Sequence, residues 1–343
     1  MSYRASDFEY DLPPDLIAQE PLAERSASRL LVLDRSTGTT AHRRFTDLAE
    51  LVAPADVVVL NASRVIPARL RGMRESGGPA ELLVVEQRPD GDWLALGHPG
   101  GKLKAGRTVR IGPDSEIEIV EILGGGLRRI RFIGTLDGRA TLARYGLAPL
   151  PPYIHHTPNA DDRERYQTVY AEHDGSIAAP TAGLHFTTAL LDRIRARGAA
   201  VVTLDLHVGL GTFKPVRVED PAVHAMHAER YTVGADTARV INERRDAGGR
   251  RWAVGTTTVR ALETVADQQG RVAASSGETT LFIRPPHVFR AVNALVTNFH
   301  LPRSTLLMLV CAFGGYEPVM RAYAEAIRER YRFYSYGDAM AIL

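Results

Sequence analysis

Residues 251–266, RWAVGTTTVRALETVA, set the fold. RWAVG is short, apolar and bulky, which suits a buried strand over 251–255. Helical spacing takes over in the residues after it and predicts a helix over 257–266. The same texture recurs on both sides. Residues 188–197 have a helix pattern ended by Gly198, and 200–206 (AVVTLDL) read as a strand. Residues 235–246 have a helix pattern ended by Gly248 and Gly249, and strand 294–298 leads into helix 304–313. Upstream, 30–34 and 56–61 (DVVVLN) read as strands, with helical spacing over 45–52. Strands alternating with helices predict largely parallel pairing.

From about residue 65 to 132 the texture changes. ELLVVE, DWLALG, RTVRIG, EIEIVEIL and LRRIRFI follow one another, punctuated by Gly, Pro and Asp, with no long helical pattern between them. That spacing predicts a small antiparallel barrel or sandwich. Pro149, Pro151 and Pro152 then mark a boundary. The expected architecture is a discontinuous, barrel-like α/β domain (1–64 and 151–343) with an all-β domain (65–150) inserted in it.

A chain of 343 residues with 45% hydrophobic and 24% charged residues can bury a sizeable core without disulfides. Its single cysteine, Cys311, lies in an apolar run and reads as a small buried residue. The polar, acidic start lacks a signal core, and no segment reaches the ~20 apolar residues that span a bilayer. A cytoplasmic location away from membranes is expected. The net charge of +2 is too mild to diagnose a nucleic-acid partner. Its distribution says more: Arg64, Arg69, Arg71 and Arg74 form one basic cluster, Lys102, Lys104, Arg107 and Arg110 a second, and Arg128, Arg129 and Arg131 a third. Each alone suits a solvated strand face; together they suggest a surface for phosphates.

Polar groups gather where the α/β strands end. The strand 200–206 runs into His207 and the glycine-rich Val208-Gly209-Leu210-Gly211-Thr212. The strand 251–255 runs into Thr256 and Thr257, and 294–298 into His300. Functional groups of parallel α/β folds collect at such carboxyl ends, although capping hydroxyls and turn histidines also occur there. AAPTAGLHFT (178–187) adds Gly183 and His185 just before a helix start, where backbone donors suit an anionic group. His224, His227 and Glu229 resemble a metal set, but the motif is not HExxH; acid, base or hydrogen-bonding duty is the preferred reading. The Gly209–Gly211 pair lacks a third glycine and a following helix, which excludes a dinucleotide fingerprint.

These segments resemble the S-adenosylmethionine:tRNA ribosyltransferase-isomerase family of queuosine synthesis nearly end to end. The likeness includes FEYDLPPDLIAQEPLAERSASRLLVLDR, VVVLNASRVIPARL, AAPTAGLHFT, LHVGLGTFKPV, HAMHAERY, AVGTTTVRALE, LVTNFHLPRSTLLMLVCAF and YRFYSYGDAMAIL. Three positions depart from the family pattern: Ala62 stands where a polar residue is usual, His98-Pro99-Gly100 replaces RPG, and Cys311 replaces a common serine. The first two lie near the expected RNA surface and leave room for a paralogue acting on another deazapurine.

The resemblance implies an α/β domain carrying an inserted β-barrel. It implies a reaction in which the amine of 7-aminomethyl-7-deazaguanine, at the wobble position of tRNA, receives the ribosyl carbons of S-adenosylmethionine. Epoxyqueuosine-tRNA, adenine and methionine are the implied products. A sulfonium acidifies the neighbouring C5′ hydrogen, so the site needs a base to remove it, an acid for the departing adenine and an uncharged amine. No metal and no redox cofactor are expected; S-adenosylmethionine is consumed as a cosubstrate. His185, His207, His227 and His300 form the expected acid–base pool, with Glu229 and Asp338 orienting them or stabilising the sulfonium. Gly183, Gly209, Gly211, Thr212, Thr256 and Thr257 would shape the S-adenosylmethionine pocket. Arg64, Arg69, Lys102 and Lys104 would hold tRNA phosphates. A monomer is expected. The competing readings are a paralogue using a free deazapurine, a tRNA-binding protein without catalysis, and a metal hydrolase built on His224, His227 and Glu229.

Overall fold

The computed structural model describes residues 3–209, 216 and 218–343. The chain forms two compact units. One comprises Met1–Arg64, Pro152–His155 and Gln167–Leu343; the other comprises Val65–Pro151 and His156–Tyr166.

The larger unit is built on a nine-stranded mixed sheet. Its order from one edge is Ser275–Thr279, Glu229–Val233, Ala200–Leu206, Val57–Asn61, Arg251–Val254, Ala294–Asn298, Ala339–Ile342, Arg29–Asp34 and Thr39–Arg44. The four middle strands, Ala200–Leu206 through Ala294–Asn298, run parallel, and antiparallel pairs flank them. Val57–Asn61 and Ala294–Asn298 are buried along their whole length, which is why they read as unbroken apolar runs rather than alternating ones.

Alternate residues feed two cores. Val57, Val59, Ala253 and Leu295 pack on one face with Val259, Leu262, Leu307 and Val310 of helices Thr256–Val265 and Thr305–Gly314. Val58, Leu60, Trp252, Val254 and Val296 pack on the other with Leu190, Leu191 and Ile194 of helix Thr188–Ala196. Asp56 anchors this second core: its carboxylate accepts the buried indole N–H of Trp252 at 2.8 Å.

The barrel-like closure expected of this sheet is not formed among the described residues. Its edge strands, Ser275–Thr279 and Thr39–Arg44, are polar and largely exposed, with sequences SSGET and TTAHRR. Hydrophilic edges of this kind oppose further strand pairing. No helix among the described residues is long and apolar enough to cross a membrane.

The smaller unit is a closed barrel of six antiparallel strands, ordered Leu127–Gly134, Trp93–His98, Pro79–Gln87, Arg69–Arg74, Thr108–Gly112 and Ser115–Gly124. Period-two alternation fills it: Leu70, Leu82, Val84, Ala95, Val109, Ile117, Ile119 and Ile130 are all buried. The same unit carries helix Gly138–Tyr145, whose N-cap Asp137 accepts from the Ala140 amide at 2.7 Å.

Candidate active site

Three parallel strands deliver their carboxyl ends to one pocket of the α/β unit. Arg251–Val254 turns at Gly255 (φ +88°) directly into helix Thr256–Val265. Ala294–Asn298 continues as Phe299, His300 and Leu301, and Ala200–Leu206 leads to Val208. With Pro180, Thr181 and Ala182 and with Tyr153, Tyr334 and Ser335, these residues line about 530 Å³ of space, counted out to the solvent mouth. The walls are held by a buried staple. Asn61 accepts from the amides of Leu206 (3.0 Å) and Ser63 (3.1 Å), and donates to the Leu206 carbonyl (2.9 Å) and to Thr257 Oγ1 (3.3 Å).

Helix Thr256–Val265 opens on the pocket with no side chain capping it, whereas Ser304 caps the neighbouring helix by accepting from the Leu307 amide at 3.1 Å. Gly255, Thr256 and Thr257 therefore present a helix N-terminus to the cavity, which favours an anionic group.

The four histidines of the expected pool do not share one wall. His300 lines the pocket; its Nε2 lies 2.7 Å from Thr297 Oγ1, its amide donates to the Tyr323 hydroxyl at 3.0 Å, and its carbonyl accepts from the Tyr10 hydroxyl. Burial pushes its imidazole down to about 3, so the ring is uncharged at neutral pH. His185 stands behind the wall, wedged against Phe45, with Nδ1 2.8 Å from Ser28 Oγ and Nε2 3.1 Å from Asn298 Nδ2. Burial, and to a smaller extent Arg332 and Arg25, also bring it down to about 3. His207 is half-buried, and its Nδ1 has no hydrogen-bond partner among the described residues. Burial lowers its pKa against the opposing pull of Asp205. Gly175 (φ +151°) fits beside this ring, because a Cβ there would sit 2.5 Å from Nδ1.

His227 is exposed and, with His224, Met226, Glu229, Arg260 and Thr305, borders a second, smaller pocket of about 340 Å³. Leu306 borders both cavities. Glu229 is ion-paired with buried Arg260 and accepts from the Gly209 amide at 3.0 Å. Its carboxylate thereby holds Gly209. Gly211 and Thr212 lie outside the described residues.

Asp338 lies away from the pocket lining. Its buried carboxylate accepts from the Arg29 amide (2.8 Å), Arg29 Nε (3.3 Å) and the Arg332 amide (2.8 Å), tying the C-terminal segment to strand Arg29–Asp34. Gly183 serves packing: a Cβ would come within 2.0 Å of the Tyr170 hydroxyl. Among the expected phosphate holders, Arg64 faces Asp174 at 3.7 Å and donates to the Ala171 carbonyl. Arg69 is engaged within the barrel unit by Glu81 and by the Leu150 carbonyl at 2.9 Å. Lys102 and Lys104 are exposed there, and Lys102 borders a wide surface hollow with Arg71, Arg74 and Arg110.

Sequence reasoning passed over Asn298, Thr297, Tyr334 and Ser335. The first two end the strand that leads through Phe299 to the singled-out His300; that position was the available signal. Tyr334 adopts φ +70°, unusual for a non-glycine residue, and burial raises its phenol to about 12.

A family model described as "Queuosine biosynthesis protein" matches residues 5–342. The chain belongs to the queuosine biosynthesis protein family. It is 52% identical to the S-adenosylmethionine:tRNA ribosyltransferase-isomerase of Symbiobacterium thermophilum, over 99% of this chain and 100% of that protein. The protein of the same name from Azoarcus sp. is 52% identical, over 100% and 98% of the two chains. Among solved structures, the S-adenosylmethionine tRNA ribosyltransferase of Thermotoga maritima is similar, with 40% identity, a TM-score of 0.57, and coverage of 98% of this chain and 100% of that one. Membership of the queuosine family agrees with the mixed α/β sheet and separate six-stranded antiparallel barrel described above.

Proposed function

We propose that this chain transfers and isomerises the ribosyl moiety of S-adenosylmethionine onto the aminomethyl group of 7-aminomethyl-7-deazaguanine in tRNA, releasing adenine and methionine. The observation that carries the reading to a place in the molecule is the pocket at three parallel strand ends, where an uncapped helix N-terminus and uncharged His300 meet. In this assignment the amides at Gly255 to Thr257 take the methionine carboxylate, with Thr256 and Thr257 supplying hydroxyls. His300 is the member of the histidine pool that touches substrate and exchanges protons with it. His185 acts from behind as a positioning residue. S-adenosylmethionine is a consumed cosubstrate, and no redox cofactor or metal enters the scheme. Lys102 and Lys104 contribute phosphate contacts from the barrel unit. We read the α/β unit as one discontinuous domain interrupted by the barrel, and the enzyme as a cytoplasmic monomer.

The test is an assay for adenine and methionine from S-adenosylmethionine, with and without tRNA carrying the 7-aminomethyl base. Release of both that depends on the modified tRNA is expected. Binding of the tRNA without release would favour a non-catalytic binding protein, and release with the free base alone would favour a deazapurine paralogue.

A further inference from the structure

The buried amide of Asn298 has an unmatched acceptor. Asn298 ends the central strand Ala294–Asn298, is 2% exposed and lines the pocket. Its Nδ2 lies 3.1 Å from the Tyr334 carbonyl and 3.1 Å from His185 Nε2. A carbonyl can only accept, so the nitrogen must face Tyr334 and the amide cannot be turned round. Both amide protons are then in use, and His185 Nε2 must be an acceptor. The single proton of the neutral ring is consequently on Nδ1, where it is donated to Ser28 Oγ at 2.8 Å. Ser28, His185 and the Tyr334 carbonyl together lock the amide in one orientation. What remains is Oδ1, buried and without a hydrogen-bond partner among the described residues. Buried polar atoms are almost always paired, and an unpaired one is a candidate for ligand recognition.

We propose that Asn298 Oδ1 recognises the exocyclic 6-amino group of the adenine in S-adenosylmethionine and so sets the specificity of the pocket for an aminopurine donor. This rests on the ribosyl-transfer reading above. An acceptor oxygen calls for an N–H. Among the described residues lining the pocket there is no Asp or Glu, so no carboxylate beside the amide oxygen selects a cationic donor group at that point. An uncharged amine suits the site better. Tyr153, Phe299, Tyr334, Leu301 and Leu306 supply the apolar walls that a flat base requires. A 6-oxo purine would instead bring a carbonyl against Oδ1 and leave both lone pairs unmatched. His185 is the positioning residue in this scheme: it holds the reader and does not touch the base.

The experiment compares S-adenosylmethionine with two analogues, one carrying unsubstituted purine and one carrying hypoxanthine, by equilibrium binding and by tRNA-dependent turnover with the full chain. Loss of the 6-amino group is expected to weaken donor binding about tenfold, and the 6-oxo group more than that, because a buried acceptor is left unpaired. In Asn298→Ala the preference for adenine over purine should shrink to about twofold or less. Ser28→Ala, which loosens the His185 ring one hydrogen bond further back, should narrow the preference partway and serves if Asn298→Ala does not fold. Equal binding of all three donors by the unaltered enzyme, or full preference retained in whichever variant folds, would overturn the proposal. Failure of the enzyme to bind S-adenosylmethionine or release adenine would instead sink the ribosyl-transfer reading; normal turnover with indifference at the 6-position sinks this inference alone.

Discussion

Lowering the pH from 7.5 to 5.0 is expected to destabilise the α/β unit by about 4 kcal/mol through two histidines, roughly 2 from each. His185 and His300 titrate near 3 in the folded chain, held down mainly by burial, against about 6.5 when unfolded. The sign follows from which state binds protons. Between pH 6.5 and 3 the unfolded rings are protonated and the folded ones are not. The stabilisation is therefore complete above pH 6.5 and is lost as the pH falls toward 3, at about 1.4 kcal/mol per ring for each pH unit. Ordinary carboxylates titrate below pH 5, so this window reports histidines. The chain has two tryptophans, Trp93 in the barrel and Trp252 in the α/β core. In a Trp93→Phe background, urea unfolding followed by Trp252 fluorescence isolates the unit of interest. His185→Gln and His300→Gln should each reduce stability at pH 7.5 yet flatten its acid dependence by about 2 kcal/mol across the window. A flat curve for the parent chain, or an undiminished slope in both variants, would refute the claim that these rings are buried uncharged.

Three further outcomes follow from the geometry. His300→Ala should lower turnover by at least about tenfold with the fold intact, read by circular dichroism alongside adenine release; unchanged turnover removes it from acid–base duty. Asp338→Ala should cost about 3 kcal/mol of stability, because it strands the buried donors of Arg29 and Arg332, and should leave donor Kd nearly unchanged in protein that remains folded. Lys102→Ala combined with Lys104→Ala should weaken tRNA binding and reduce the salt slope by about 2; an unaltered slope would show that neither lysine meets a phosphate.

The buried parts of the fold were legible because burial leaves a mark on composition. DVVVLN and RWAV announce strands enclosed on both faces, and the alternation in ELLVVE announces a barrel wall. The helix expected over 235–246 is Ala235–Asp246, since Gly248 (φ +78°) closes it locally. Strands Thr39–Arg44 and Ser275–Thr279 carry no such mark: they are polar edges whose pairing is set by neighbours distant in the chain. The site divides in the same way. That Thr256, Thr257 and His300 line one pocket could be anticipated because they lie just after strands. The tautomer of His185 and the open acceptor of Asn298 were not, because they depend on Ser28, His185, Asn298 and Tyr334 meeting from four separate segments. The hydrogen bonds of Asp338 were hidden for the same reason: its partner Arg29 lies more than 300 positions away.

The most direct measurement of the account is the fate of label from S-adenosylmethionine incubated with the enzyme and tRNA bearing the 7-aminomethyl base. With carbon-13 in the ribose, mass spectrometry of the digested tRNA should show the modified nucleoside gaining the intact five-carbon unit, with unlabelled adenine and methionine released. Label arriving in tRNA from the methyl group instead, or ribose carbons remaining with the nucleoside while tRNA gains none, would contradict it.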